Sequence, residues 1–227
     1  MSRYKQVVQL HLRNKYTWFY VPWIILGVNF LINFIIGTAL NTGETMNTGS
    51  ITSIFIYTFV AGTITIKETF PFALGLSIRR KDYVLGTILT AFLVNAISAL
   101  LLTLFSVLEE ATDGWGVQMS LFKVGFLSDV SVIGMLGIYL ILLLNMYFFG
   151  FAISSIHRRF GSTGMYAFFT ALFLIGTVGT YSLTHLGLWG GIFGWLVQHY
   201  MALFWWMLPL LAVYLSATYS LLRRAAV

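Results

Sequence analysis

The chain has 227 residues, of which 59% are hydrophobic and 9% charged, with a net charge of +6 and a mean hydropathy of +0.86. A soluble domain carries about 25% charged residues, so a water-exposed globule is excluded, and an integral membrane protein is expected. The basic residues are split among short segments with no continuous basic face, which argues against nucleic acid, and the absence of cysteine removes disulfides and thiolate metal sites.

Residues 1–16 come first. Tyr4, Val7, Val8, Leu12 and Tyr16 recur at three- and four-residue steps, with Arg3, Lys5, Gln6, Gln9, Arg13 and Asn14 between them, so an amphipathic helix lying at the membrane surface is expected. Six apolar runs follow, at residues 18–40, 49–66, 84–108, 130–153, 163–183 and 201–222. Each is about 18 to 25 residues long, enough to cross a bilayer. Threading them in turn puts both termini in the cytoplasm and places Arg3, Lys5, Arg13, Lys15, Lys67, Arg79, Arg80, Lys81, Arg158, Arg159, Arg223 and Arg224 inside, with Lys123 alone outside. That bias is the positive-inside pattern. The expected fold is therefore a single all-α transmembrane domain over residues 1–227.

Three connections are too apolar for plain loops. Residues 67–82 contain Phe70, Phe72, Leu74 and Ile78, with Pro71 placed to open a short helix. Residues 109–129, expected outside, carry Trp115, Met119, Phe122 and Phe126 and read as a segment in the headgroup region. Residues 184–200 hold four glycines among Trp189, Phe193 and Trp195, which predicts a re-entrant or surface-lying helical pair before the last span.

Inside the spans there is no Asp, Glu, Lys, Arg or His, which disfavours a self-powered ion-coupled pump. Asn29, Asn33, Asn95 and Asn145 are the amides that enter; they serve as interhelical hydrogen bonds or as the lining of a substrate cavity. The nearest approach to a nucleophile elbow, Gly75-Leu-Ser77-Ile-Arg79, lacks its closing glycine. No Gly-Lys dipeptide exists for a phosphate-binding loop. His11, His157, His185 and His199 form no metal motif. The small-residue spacings Gly190-x-x-x-Gly194, Gly134-x-x-Gly137 and Gly176-x-x-Gly179 permit close helix approach.

The layout, together with Phe70-Pro71-Phe72-x-x-Gly75-Leu-Ser77-x-Arg79-Arg80-x-x-Tyr83, resembles a permease subunit of the ABC-2 type from bacterial ABC exporters, in particular the compact exporters of peptides, toxins and phenol-soluble modulins. The importer signature EAA-x-x-x-G is absent. The resemblance implies a multi-pass protein of the bacterial plasma membrane that binds no cofactor itself. A separate ATPase dimer would supply ATP and Mg, and a second permease copy or a sister chain would complete the pore. It further implies a coupling helix within 67–82, whose contacts with the ATPase would come from Glu68, Phe70, Pro71, Phe72, Leu74, Arg79, Arg80 and Lys81. External re-entrant helices would precede span six. The cargo expected is amphipathic or apolar, most simply a peptide. The competing readings are a regulatory or immunity membrane protein without transport activity, and an intramembrane enzyme.

Overall fold

The computed structural model describes residues 3–14, 16–40, 46–123 and 130–223. Lys15, Phe126 and Arg224 of the expectations above lie outside those residues. About 88% of the described residues are helical, and four helical stretches are long and apolar enough to span a membrane: Tyr16–Ala39, Arg80–Ala111, Val132–His185 and Tyr200–Arg223.

Helix α1, Arg3–Arg13, forms where its spacing predicts it, but the face it buries is narrower than the apolar stripe. Val7 and His11 are fully buried, while Tyr4, Leu12 and Tyr16 stay exposed. The cause is Gly86 on α4: a Cβ there would sit 2.5 Å from Val7 Cβ and 2.9 Å from the Tyr4 carbonyl, so the missing side chain lets α1 lie directly on α4. Asn14 then turns the chain, its Oδ1 accepting from the Thr17 hydroxyl at 3.2 Å. One π-helical turn, Tyr16–Tyr20, leads into α2, Val21–Leu40.

Helix α3, Thr52–Gly75, covers most of the apolar run at 49–66. It is not among the four strongly apolar stretches, because threonines at 58, 63, 65 and 69 and the pair Lys67-Glu68 dilute it. It runs straight through Pro71, which corrects the expectation that Pro71 opens a short helix: residues 67–75 are the last turns of α3 itself. Its end is a Schellman closure: Ile78 N donates to the Ala73 carbonyl and Ser77 N to that of Leu74. Ser77, not a glycine, takes the left-handed position at φ 56°.

Helix α4, Arg80–Ala111, runs to a cap at the far end of the bundle. Two-residue strands β1, Met46–Asn47, and β2, Met119–Ser120, pair in parallel there. Met119, Leu121 and Phe122 are buried in that cap, so the described part of this connection packs on the protein.

The expected fourth and fifth spans form one helical run, α5, Val132–His185, broken only at Gly161 with φ 66° and ψ −162°. A straight helix of its 54 residues would measure about 81 Å, far beyond a hydrocarbon core of about 30 Å. Each arm alone is long enough to cross. The expected helical pair before the last span is a single short helix, α6, Trp189–Gln198, with no buried residue. It follows a turn at Gly187, φ 65°, and precedes α7, Tyr200–Arg223.

Two cores hold the bundle. Val7, Trp18, Ile66, Phe70, Ile78, Tyr83, Tyr147, Phe151 and Leu222 gather at one end; Leu26, Ile54, Leu102, Leu121, Phe122, Tyr139 and Leu143 gather at the other. Between α3 and α5 the backbones touch. A Cβ on Gly62 would lie 2.1 Å from the Tyr147 carbonyl oxygen, and one on Gly150 would lie 2.2 Å from that of Phe59. By contrast Gly137, Gly176, Gly179, Gly190 and Gly194, from the spacings picked out in the sequence, have nothing within 4 Å. From 156 to 217 no residue is fully buried; α7 leans on α5 through Tyr214 and Phe149, 5.5 Å apart.

Candidate functional site

The first core marks a basic end. Arg79, Arg80 and Lys81 start α4, and Arg80 Nη1 donates to the Arg223 carbonyl at 2.6 Å, which brings the end of α7 to the same place. Arg158 arrives from α5, its guanidinium 5.6 Å above the Phe70 ring. The residues expected to contact an ATPase are thus assembled at one end of the molecule, but they do not all face outward. Phe70 is completely buried, edge-on to Tyr83 at 5.1 Å, so it is unavailable to a partner. Its burial contributes about 1.5–3 kcal/mol to the fold itself. Leu74 is half-buried against the same core. The apolar surface left at the tip of α3 is Phe72 and Leu76, 56% and 57% exposed, beside exposed Pro71, Arg79 and Lys81. Glu68 is exposed and accepts from Asn14 Nδ2 at 3.5 Å.

Behind that tip runs a buried chain of polar groups that joins α1, α3, α4 and α5. His11 Nε2 meets Thr87 Oγ1 at 2.9 Å. Tyr83, one turn earlier on α4, shares a hydrogen bond of 2.8 Å with Thr69 Oγ1 on α3. A turn further, Tyr147 on α5 donates to Thr65 Oγ1 at 3.1 Å. Trp18 fills the gap between them, 5.0 Å from the His11 ring and 5.3 Å from Tyr147. The other ring nitrogen of His11 has no partner, and burial lowers the imidazole pKa from 6.5 to about 4, because the charged form would lose its hydration. No local pattern marks this histidine's role, since the hydroxyl it meets is 76 residues away.

Three of the four asparagine side chains, Asn33, Asn95 and Asn145, make hydrogen bonds, each to its own partners. Asn33 donates to the Asn29 carbonyl at 2.7 Å and to Ser50 Oγ at 2.9 Å. Asn95 and Asn145 each donate to the carbonyl four residues back, and Asn145 Oδ1 is buried without a partner. Of the four, Asn95 borders a small cavity of about 20 Å³ that is also lined by Trp18, Tyr57, Thr58, Ser98 and Tyr147.

A feature the sequence did not flag sits at the opposite end. Glu109 is 3% exposed. Its carboxylate accepts from the backbone N–H of Leu121, Phe122 and Lys123, each at 2.9 Å, and from the Trp115 indole at 3.2 Å. This nest of donors closes the cap onto α4. Its neighbour Glu110 forms an ion pair with Lys123 at 2.8 Å. Ser77, the serine of the incomplete elbow, is exposed and terminates a helix, whereas a nucleophile elbow joins a strand to a helix.

Compared with family models, with curated proteins and with solved structures, the chain finds no match in any of the three.

Proposed function

We propose that this chain is the membrane-spanning permease subunit of an ATP-driven exporter in the bacterial plasma membrane. In this reading it crosses six times, with both termini inside. Separate ATPase subunits bind ATP and Mg, and a second permease copy or a sister chain completes the pathway. The observation that carries the reading is the tip of α3: Phe72 and Leu76 exposed, flanked by Arg79 and Lys81, and backed by a fully buried Phe70. An exposed phenyl ring at a charged end favours a protein pocket over water. Because α3 is continuous through Pro71, a displacement at Phe72 reaches the membrane section of the same helix. Phe70 and the His11–Thr87 and Tyr83–Thr69 contacts carry it on to α1, α4 and α5.

The cargo in this reading is an amphipathic peptide. The predicted spans offer no ionised group for a strongly charged solute, and many aromatic side chains are available to bury apolar surface.

The test is Phe72→Asp in the full chain, co-expressed with candidate ATPase subunits from the same genome. Burying a phenyl ring contributes about 1.5–3 kcal/mol, and a desolvated carboxylate in its place reverses the sign. ATPase capture should fall at least tenfold while the amount of permease in the membrane is unchanged, because Phe72 contributes little to its own fold. Unchanged capture and unchanged transport would refute the assignment of the α3 tip as the coupling point.

A further inference from the structure

At the Gly161 break of α5, a cavity of about 380 Å³ opens between α3 and the two arms of the helix. It is lined by Thr63, Ile66, Lys67, Ile153, Ser154, His157, Arg158 and Met165. Its lining is of two kinds. Ile66, Ile153 and Met165 give an apolar floor, while Lys67, Arg158, His157 and Ser154 bring nitrogen and hydroxyl donors to the rim. Among the described residues the one ion pair is Glu110–Lys123, so neither Lys67 nor Arg158 has a carboxylate within ion-pair distance there. Glu68, next to Lys67, points instead to Asn14. Arg158 is held in place over Phe70, and its Nε is buried without an acceptor. The buried Nε is closed to an outside acceptor, so the terminal guanidinium nitrogens of Arg158, a half-buried residue that lines the cavity, are the donors an anion there would meet.

We propose that this cavity binds the phosphate group of an anionic lipid, with Lys67 and Arg158 on the phosphate and the proximal acyl carbons against Ile66, Ile153 and Met165. The guanidinium fork suits phosphate oxygens. The cavity lies at the basic end, where a bilayer presents anionic headgroups to juxtamembrane Lys and Arg. The apolar floor distinguishes this ligand from free phosphate, which would leave the three apolar side chains against water. The site rests on the chain lying in a bilayer and is independent of whether it exports anything.

The experiment is native mass spectrometry of the full chain released from neutral detergent after incubation with equimolar phosphatidylglycerol and phosphatidylcholine. The wild type should retain one phosphatidylglycerol in preference to phosphatidylcholine. Lys67→Gln and Arg158→Gln should each weaken that retention about tenfold, the scale of one lost hydrogen bond to a charged group. Lys81→Gln, which removes an exposed charge outside the cavity, should stay within about twofold. Lys67 is exposed, so its variant tests the site without disturbing the core even where Arg158→Gln folds poorly. Equal retention of the two lipids by the wild type, or undiminished retention in Lys67→Gln, overturns the proposal. Displacement of the lipid by inorganic phosphate at the same concentration would make the cavity a free-anion site and also overturn it.

Discussion

Glu109 offers the sharpest stability experiment, because its neighbour Glu110 is a built-in control. Replacing Glu109 by Ala strands the N–H groups of Leu121 and Phe122, both in buried hydrogen bonds, and that of Lys123, which is partly open to water. A buried donor left without a partner costs about 1–3 kcal/mol. Two such donors, with the third rescued by solvent, give a loss of roughly 3–5 kcal/mol. For a chain of this size that corresponds to a fall in Tm on the order of 10 °C. Glu109→Gln should cost less, about 1–2 kcal/mol: its amide oxygen replaces Oε2, which serves Leu121, Phe122 and Trp115, while its amide nitrogen meets the Lys123 N–H donor to donor. Glu110→Ala breaks an ion pair whose glutamate is 64% exposed, and should cost under about 1 kcal/mol. Thermal unfolding in detergent, followed by circular dichroism, reads all three. If Glu109→Ala and Glu110→Ala melt within 2 °C of each other, roughly the effect of about 1 kcal/mol, the buried nest is not holding the cap.

The α3–α5 contact predicts that Gly62→Ala and Gly150→Ala each destabilise by more than about 2 kcal/mol, since the new methyl meets a backbone carbonyl that cannot rotate away. Gly176→Ala and Gly190→Ala, with open space around them, should be neutral or slightly stabilising in the same melt. His11 predicts a pH dependence. The fold keeps it neutral down to about pH 4, while the unfolded chain takes up a proton below about 6.5. Its contribution is therefore complete above pH 6.5 and shrinks as pH falls toward 4, by up to about 3 kcal/mol. His11→Gln should flatten the stability profile between those values; a profile unchanged from the wild type would contradict the buried, neutral imidazole.

Apolar run length and helical spacing made the helices legible, because both are properties of consecutive residues. α1 begins and ends close to where its spacing places it, and the runs at 84–108 and 201–222 lie inside α4 and α7. What was not legible depends on pairs far apart in the chain. Gly62 and Gly150 face each other across 88 positions, and no spacing within one helix announces them. Of the glycines that do follow a regular spacing, Gly137, Gly176, Gly179, Gly190 and Gly194 point into open space. Tyr4, Leu12 and Tyr16 look like the buried stripe of α1, yet Gly86 decides that Val7 and His11 are the residues that sink. Pro71 reads as a helix start because it lacks an N–H. The helix nevertheless continues through it, since Phe70 and Ala73 are both fully buried and hold the backbone in register on either side. No neighbour in sequence marks Glu109; only the return of residues 121–123 reveals its donors.

The six-crossing topology is most directly tested at the break in α5, where one long helix must become two passes. The chain has no cysteine, so Ser77→Cys, Asp113→Cys, Ser162→Cys and Leu186→Cys each introduce a unique thiol. Labelling with a membrane-impermeant maleimide, in intact cells and again after lysis, assigns each position to a side. Six crossings place Asp113→Cys and Leu186→Cys outside, labelled in intact cells, and Ser77→Cys and Ser162→Cys inside, labelled only after lysis. Labelling of Ser162→Cys in intact cells would mean that the first arm of α5 does not cross, and protection of Leu186→Cys until lysis would mean that α5 does not turn back at Gly161; either result would contradict both the six-span arrangement and the exporter reading built on it.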